Sequence, residues 1–278
     1  MKFVKASPDN STLHPILRSI GRKRVGWNHK KIPFCGCDIW NAYEFSFLLQ
    51  TGKPVNKILR IEYPVSSTNI VESKSLKLYL NSYNMVKFAN IQSALACVKN
   101  DLEEILGTSG LKLSAIGENQ FTQEFTTASS FKNINQNPLN DFIDYEYNSD
   151  ILRTKTATNN KYFIKTNLLK SNCPLTGQPD WGTVYIYYKS NKKLLEKSFL
   201  RYIISFRRLG EYHEECCERI LYDLTKILQP IKLIVFCKYT RRGGIDINPI
   251  RIYPTIDNYL DMIPKNFKKI IYTRDFRQ

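Results

Sequence analysis

The chain has 278 residues, 42% hydrophobic and 24% charged, a globular composition with room for roughly two domains. Lys and Arg outnumber Asp and Glu by 41 to 25, so the net charge of +16 indicates either an anionic partner or a lysine-rich surface, and no long Lys/Arg block marks a nucleic-acid tail. Seven cysteines without a disulfide spacing, a polar start and no long apolar run argue against a secreted or membrane-spanning chain and for a reducing cytoplasm.

Residues 1–31 are polar and basic, with Gly21-Arg22-Lys23-Arg24, and read as a solvated surface arm. Residues 32–49 are apolar and aromatic and pack as a turn followed by a helix or strand. Cys35 and Cys37 lie there, with no second Cys/His pair to make a zinc site. Alternation over 57–65 predicts a strand, and alternation over 75–83, with Leu76, Leu78 and Leu80 on one face, predicts another. Glu72 and Lys74 stand at its entrance. Ile91, Leu95, Val98, Leu102 and Ile105 recur at helical spacing, so 90–106 is a helix capped by Asn90 and ended by Gly107. A short strand follows at 111–116. The Ser-, Thr- and Asn-rich stretch 121–140 reads as a connection, and 142–147 as a strand.

The second half repeats this layout. Strands are expected at 161–169 and 183–189, helices at 198–208 and 212–228, and a hairpin of 231–239 with 245–253 around Thr240-Arg241-Arg242-Gly243-Gly244. The economical architecture is α+β, with two lobes at 32–140 and 141–278, each a mostly antiparallel sheet with helices on one face.

Residues 172–182, N-C-P-L-T-G-Q-P-D-W-G, form a Pro/Gly loop carrying Cys173 and Asp180. The thiol is either a nucleophile or a buried structural cysteine, and Asp180 either its proton partner or a turn former. Of three histidines, His213 beside Glu214 at a helix start is the candidate imidazole, although acidic residues also suit a helix N-terminus. Glu72 can accept two hydrogen bonds from an amidine-like edge or pair with Lys74. Arg241 and Arg242 beside Gly243 and Gly244 suit a phosphate or mark a solvent-facing turn. Neither a G-x-G-x-x-G nor a Walker motif is present.

Taken together, I-P-F-C-G-C-D-I-W at 32–40, V-E-S-K-S-L-K-L-Y at 71–79, S-N-C-P-L-T-G-Q-P-D-W-G at 171–182, E-Y-H-E-E-C at 211–216 and Y-T-R-R-G-G-I-D-I-N-P at 239–249 resemble the NADPH-dependent 7-cyano-7-deazaguanine reductases of queuosine biosynthesis, in their long two-lobe form. The resemblance implies a tunnelling fold in each lobe, no metal, and a four-electron reduction of a nitrile to an amine with two NADPH. By motif, Cys173 would form a covalent thioimide, with Asp180 as proton donor and His213 assisting. Val71, Glu72, Ser73, His213 and Glu214 would bind the deazaguanine, and Ser73, Lys74, Arg242 and Gly243 would contact NADPH. A homodimer with no direct nucleic-acid partner is implied. Cys216-Cys217 departs from the pattern by one extra thiol. A tunnelling-fold hydrolase and a basic RNA-binding protein are the competing readings.

Overall fold

The computed structural model describes residues 7–28, 31–118, 130–139, 145–256 and 263–278, excluding the Asn159 side chain. The chain divides into two compact units, neither of them one continuous stretch. The first comprises Met1–Ile20, Cys37–Thr122 and Arg241–Ile247, and the second Gly21–Gly36, Gln123–Thr240 and Asn248–Gln278.

In chain order the elements through the first unit are β1 (Pro15–Leu17), α1 (Arg18–Val25), β2 (Cys35–Leu49), β3 (Pro54–Pro64), β4 (Asn69–Val71), α2 (Ser73–Asn81), β5 (Lys87–Phe88), α3 (Ile91–Leu106) and β6 (Lys112–Ile116). Strand β3 runs antiparallel between β2 and β6, β5 lies parallel to β2, and β1 pairs antiparallel with β4. Of the two alternatives for 32–49, the strand forms. Helix α3 forms as its spacing predicts. Asn90 Oδ1 accepts from the Ser93 N–H at 2.9 Å, Ser93 Oγ accepts from the Asn90 N–H, and Gly107 closes the helix at φ 61°. Its most buried positions are Ala94, Val98, Leu102 and Leu106, so the inward stripe lies slightly to one side of the one read from the larger residues.

The expected strand at 75–83 is instead helix α2 followed by a 3-10 turn. Alternating leucines imitate a strand, but Leu76, Tyr79, Leu80 and Tyr83 are buried at helical spacing while Leu78 is half exposed. Glu72 starts the helix by capping it.

The N-terminal segment also differs from a surface arm. Leu13, Arg18, Val25 and Trp27 are buried, and β1 and α1 form within it. The Arg18 guanidinium donates to buried Asp38, and its Nε donates to Ser67 Oγ at 2.9 Å. In the second unit Arg22 donates twice to Glu218, at 3.0 and 3.1 Å, and Arg24 donates to both carboxylate oxygens of Glu215 at 2.8 Å. Arg22 and Arg24 of the basic run therefore reach buried carboxylates, while Lys23 and Arg24 stay exposed.

The second unit continues with β7 (Lys132–Asn133), β8 (Thr154–Asn172), β9 (Pro179–Leu194), α4 (Glu196–Ile204), α5 (His213–Leu228), β10 (Lys232–Tyr239), β11 (Ile245–Tyr253) and α6 (Lys265–Ile271). The strand order is β11-β10-β9-β8-β7, antiparallel except for β7 beside β8. Helix α5 packs over the face carrying Val235 and Cys237, where the Cys217 thiol meets the carbonyl of Val235. Helix α6 covers the opposite face, with Phe267 against Phe236 and Phe131. Of the expected strand at 142–147, residues 142–144 lie outside the described residues and 145–147 belong to no element. Residues 119–129 and 140 of the expected connection also lie outside them.

Removing one partner of a buried ion pair leaves the other charge uncompensated. Arg18→Met is expected to lower stability by about 3–5 kcal/mol in urea unfolding, because Asp38 stays buried.

Candidate active site

Strands β8 and β9 end and begin at paired residues, Asn172 opposite Pro179, so Cys173 to Gln178 form the hairpin loop. The Cys173 N–H donates to the Gln178 carbonyl and the Gly177 N–H to the Cys173 carbonyl, both at 2.9 Å. Gly177 takes φ 68°, which a residue with a side chain adopts only with strain. The loop holds the Cys173 thiol largely buried, with 6% of the residue exposed, while Leu175 stands out in solvent.

The chain between α4 and α5 is tied to this hairpin. Asn172 N–H donates to the Leu209 carbonyl at 2.8 Å, the Glu211 N–H donates to the Asn172 carbonyl at 3.2 Å, and the Asn172 amide donates to the Arg207 carbonyl at 3.1 Å. Glu211 is further held by a forked pair with Arg219, whose Nε donates at 2.8 and 3.0 Å. Helix α5 therefore begins next to the loop, and its first residues are the His213-Glu214 pair, both buried.

His213 Nε2 lies 3.3 Å from Asp180 Oδ2, both side chains at least nine-tenths buried. The contact is one of charge and proximity, since neither ring nitrogen has hydrogen-bond geometry to a protein partner. The imidazole instead stacks on Tyr239, centroids 3.8 Å apart and planes 13° apart. Tyr239 lies flat because Gly182 sits opposite it in the sheet, where a Cβ would come within 3.2 Å of the ring and 3.3 Å of the Lys238 carbonyl. Burial pushes the Tyr239 phenol far above its usual range, and the Cys216, Cys237, Cys217 and Asp180 charges would add to that, so it stays neutral.

The extra thiol has a structural place. Cys216 is buried against Glu211, Ser171 and Tyr239, and burial holds it well above the ordinary thiol range; Cys237 is raised for the same reason and by Cys217. A thiol so held is a poor nucleophile. None of the seven cysteines is in a disulfide.

The remaining predicted residues lie in the first unit. Glu72 is the N-cap of α2. Its Oε1 accepts from the Lys74 N–H at 2.9 Å and its Oε2 from the Ser75 N–H at 2.7 Å, while Ser75 Oγ donates to the Glu72 carbonyl. Both oxygens are thereby fixed in orientation; Oε1 also accepts from the Ser73 hydroxyl at 3.4 Å, and Oε2 keeps a lone pair for a second donor. Lys74 contributes its backbone here, not a side-chain ion pair. Val71 ends β4, buried, and Ser73 opens α2.

Gly243 and Gly244 form a two-residue turn at φ 61° and 78°, closed by mutual hydrogen bonds of Arg242 and Ile245. Arg241 lies over the Tyr43 ring, 4.6 Å from its centroid, and the Tyr43 hydroxyl donates to Asp246 at 2.6 Å. An open cleft of about 360 Å³ lies between this turn, β2 and α2, lined in part by Glu44, Phe45, Lys77, Asn81, Gly243 and Gly244. A Cβ at Gly244 would meet the exposed Glu44 side chain at 2.5 Å and one at Gly243 the Lys77 side chain at 3.2 Å; the positive φ at both positions is what favours glycine. Arg242 is not among the residues that line this cleft, and Cys173 is not either.

Residues 5–111 match the family model described as nitrile reductase, 7-cyano-7-deazaguanine-reductase N-term, and residues 179–257 match the one described as QueF-like protein. The NADPH-dependent 7-cyano-7-deazaguanine reductase of Desulfotalea psychrophila is 41% identical over 244 residues, 87% of either chain. That of Buchnera aphidicola subsp. Schizaphis graminum is 41% identical over 256 residues, 91% of this chain and 96% of its own. That of Burkholderia thailandensis is 39% identical over 270 residues, 93% of this chain and 91% of its own. This chain belongs to that reductase family.

Within this reductase, sequence reasoning missed Tyr239 and Gly182. Their signal lies only in strand register, which sets a glycine opposite an aromatic residue two strands' worth of sequence away. Gly182→Ala is expected to destabilise the reductase by about 1–3 kcal/mol by overpacking and to lower turnover by tilting the His213 stack; thermal melting and steady-state rates check this.

Proposed function

We propose that this chain reduces the nitrile of 7-cyano-7-deazaguanine to the aminomethyl group with NADPH, using the Cys173 hairpin. One observation carries the assignment of residues. Around Asp180, beside a thiol in a loop, the two His213 nitrogens are buried without a hydrogen-bonding protein partner, and Ser171 Oγ and the Tyr239 hydroxyl lie against the Cys216 thiol. Buried polar atoms are ordinarily paired, so the two nitrogens are suited to a polar ligand.

A nitrile accepts hydride poorly, and adding a thiol makes it a better acceptor. Cys173 Sγ forms the S–C bond, its proton passes to Asp180, and Asp180 returns a proton to the nitrile nitrogen, leaving a covalent thioimide. When bound, NADPH supplies one hydride in each of two reduction steps. Between them the C–S bond breaks with its electron pair returning to sulfur, and a proton from solvent restores the Cys173 thiol. His213, held flat on Tyr239 and 3.3 Å from Asp180, passes the further proton toward the amine nitrogen. Glu72, oriented by its own helix N-terminus, accepts from the N1–H and 2-amino group of the deazaguanine, with Val71 and Ser73 beside it and Glu214 completing the substrate contacts. Ser73, Lys74, Arg242 and Gly243 hold the cofactor at the glycine turn.

The signature at Glu72 is assigned to an N-terminal lobe and the Cys173 hairpin to a C-terminal one, in a cytoplasmic homodimer. Thiols outside disulfides suit a reducing compartment, and the edge strands β6 and β7 favour covering by assembly. No helix among the described residues is long and apolar enough to cross a membrane.

Cys173→Ala is expected to abolish both the adduct seen by intact mass and substrate-dependent NADPH oxidation; residual nitrile reduction would remove Cys173 from the role. Asp180→Ala should still bind substrate while turnover falls by a factor of about 10²–10⁴, the usual contribution of a positioned acid–base group. The unaltered protein should consume two NADPH per nitrile, counted by absorbance against amine formed.

A further inference from the structure

The hairpin that carries Cys173 and Asp180 also carries a cluster of positive charge that the reaction at sulfur does not use. Trp181 follows Asp180 on β9 and pairs across the sheet with Lys170 on β8. The Arg207 guanidinium lies 5.3 Å from the Trp181 ring centroid, and that of Arg277 lies 5.8 Å from it. Lys170 Nζ reaches only neutral oxygens, Asn172 Oδ1 at 2.5 Å and the Arg207 carbonyl at 2.7 Å. Arg277 Nη2 donates to the Asn167 carbonyl at 2.6 Å, and its Nε is buried with no hydrogen-bond partner.

Three cations thus gather about one indole, and none forms an ion pair among the described residues. Two carboxylates are near, and both have other contacts. Asp275 accepts from the Tyr185 hydroxyl and the Phe276 N–H, and Asp180 faces His213. Lys170 feels the neighbouring guanidinium. Lys170 is lowered by burial and then by the charge of Arg207, and Arg277 is lowered by burial. A guanidinium over an indole gains a modest electrostatic attraction, but the ring does not neutralise it. Like charges held together at partial burial lose energy unless an anion is shared among them. Two forked guanidiniums and an ammonium are the donor set for phosphate oxygens, and the indole edge suits the sugar or base attached to them.

We propose that Lys170, Arg207 and Arg277, arranged around Trp181, bind phosphate groups of NADPH as an anion subsite additional to the Arg242-Gly243 turn. The dinucleotide phosphate carries two separated anionic groups, the pyrophosphate and the 2′-phosphate, and the cluster suits either of them. This rests on the NADPH-dependent reading above, and the test separates the two.

The experiment measures NADP⁺ and inorganic pyrophosphate binding by calorimetry for the unaltered protein, Arg207→Gln, Arg277→Gln, the double variant and the charge-preserving Arg207→Lys. Adduct formation from 7-cyano-7-deazaguanine at Cys173, which needs no NADPH, is followed by intact mass as the control for a folded site. The expected result is a dissociation constant for NADP⁺ raised tenfold or more in each Gln variant and further in the double one, with smaller loss in Arg207→Lys and undiminished adduct. NAD⁺ binding assigns the phosphate: weakening for NADP⁺ alone indicates the 2′-phosphate, and equal weakening for both indicates the pyrophosphate. NADP⁺ binding within twofold of the unaltered protein overturns the proposal, including the case in which the Gln variants instead lose salt-dependent tRNA binding. Should Arg207→Gln fail to fold, Arg277→Gln and Arg207→Lys decide by the same criterion. If the unaltered protein forms no adduct, the reductase reading fails, while pyrophosphate binding and its loss in the variants still decide the anion subsite.

Discussion

The candidate site depends on the pairing of Asn172 with residues 209–211. Two backbone hydrogen bonds and a side-chain amide join the end of β8 to the segment entering α5. Without that seam the Cys173 hairpin and the His213-Glu214 helix start would be separate surface features of the second unit. With it, a thiol, a carboxylate and an imidazole share one buried region. The seam uses backbone donors, which tolerate little displacement, and so fixes the hairpin against the start of α5 more tightly than long side chains would.

Positive charge is used in three ways. Arg22, Arg24 and Arg251 meet the α5 carboxylates Glu215 and Glu218, which makes part of the N-terminal basic run a structural tie. Arg219 locks Glu211 and so the approach to α5. Lys170, Arg207 and Arg277 around Trp181 carry the proposed anion subsite. The net charge of +16 is therefore no single signal, because part of it is used on carboxylates of the same chain.

Several elements were readable from local pattern because local physics sets them. Helix α3 declares its cap, its stripe and its glycine stop, and β8, β9, β10 and β11 carry apolar runs between turn residues. Residues 75–83 misled because three leucines at period two outvoted Tyr79 and Tyr83, whose hydroxyls bond each other at 2.6 Å and let polar-tipped rings go inside. The basic segment misled because its carboxylate partners lie roughly 190 residues away in sequence, beyond any window.

The sequence by itself determined the chemistry available: one cysteine and one aspartate in a Pro/Gly loop, a His-Glu pair at a helix start, a Glu-Ser-Lys-Ser segment and an Arg-Arg-Gly-Gly turn. Residue type and local spacing suffice for that, because turns and caps are short-range. Only the tertiary structure decided that Glu72 has its carboxylate oriented by a helix, that Cys216 is buried and inert, and that Tyr239 lies under His213. Those facts depend on strand register and helix packing between residues distant in the chain, where the contacts are set by the whole unit and not by any local pattern.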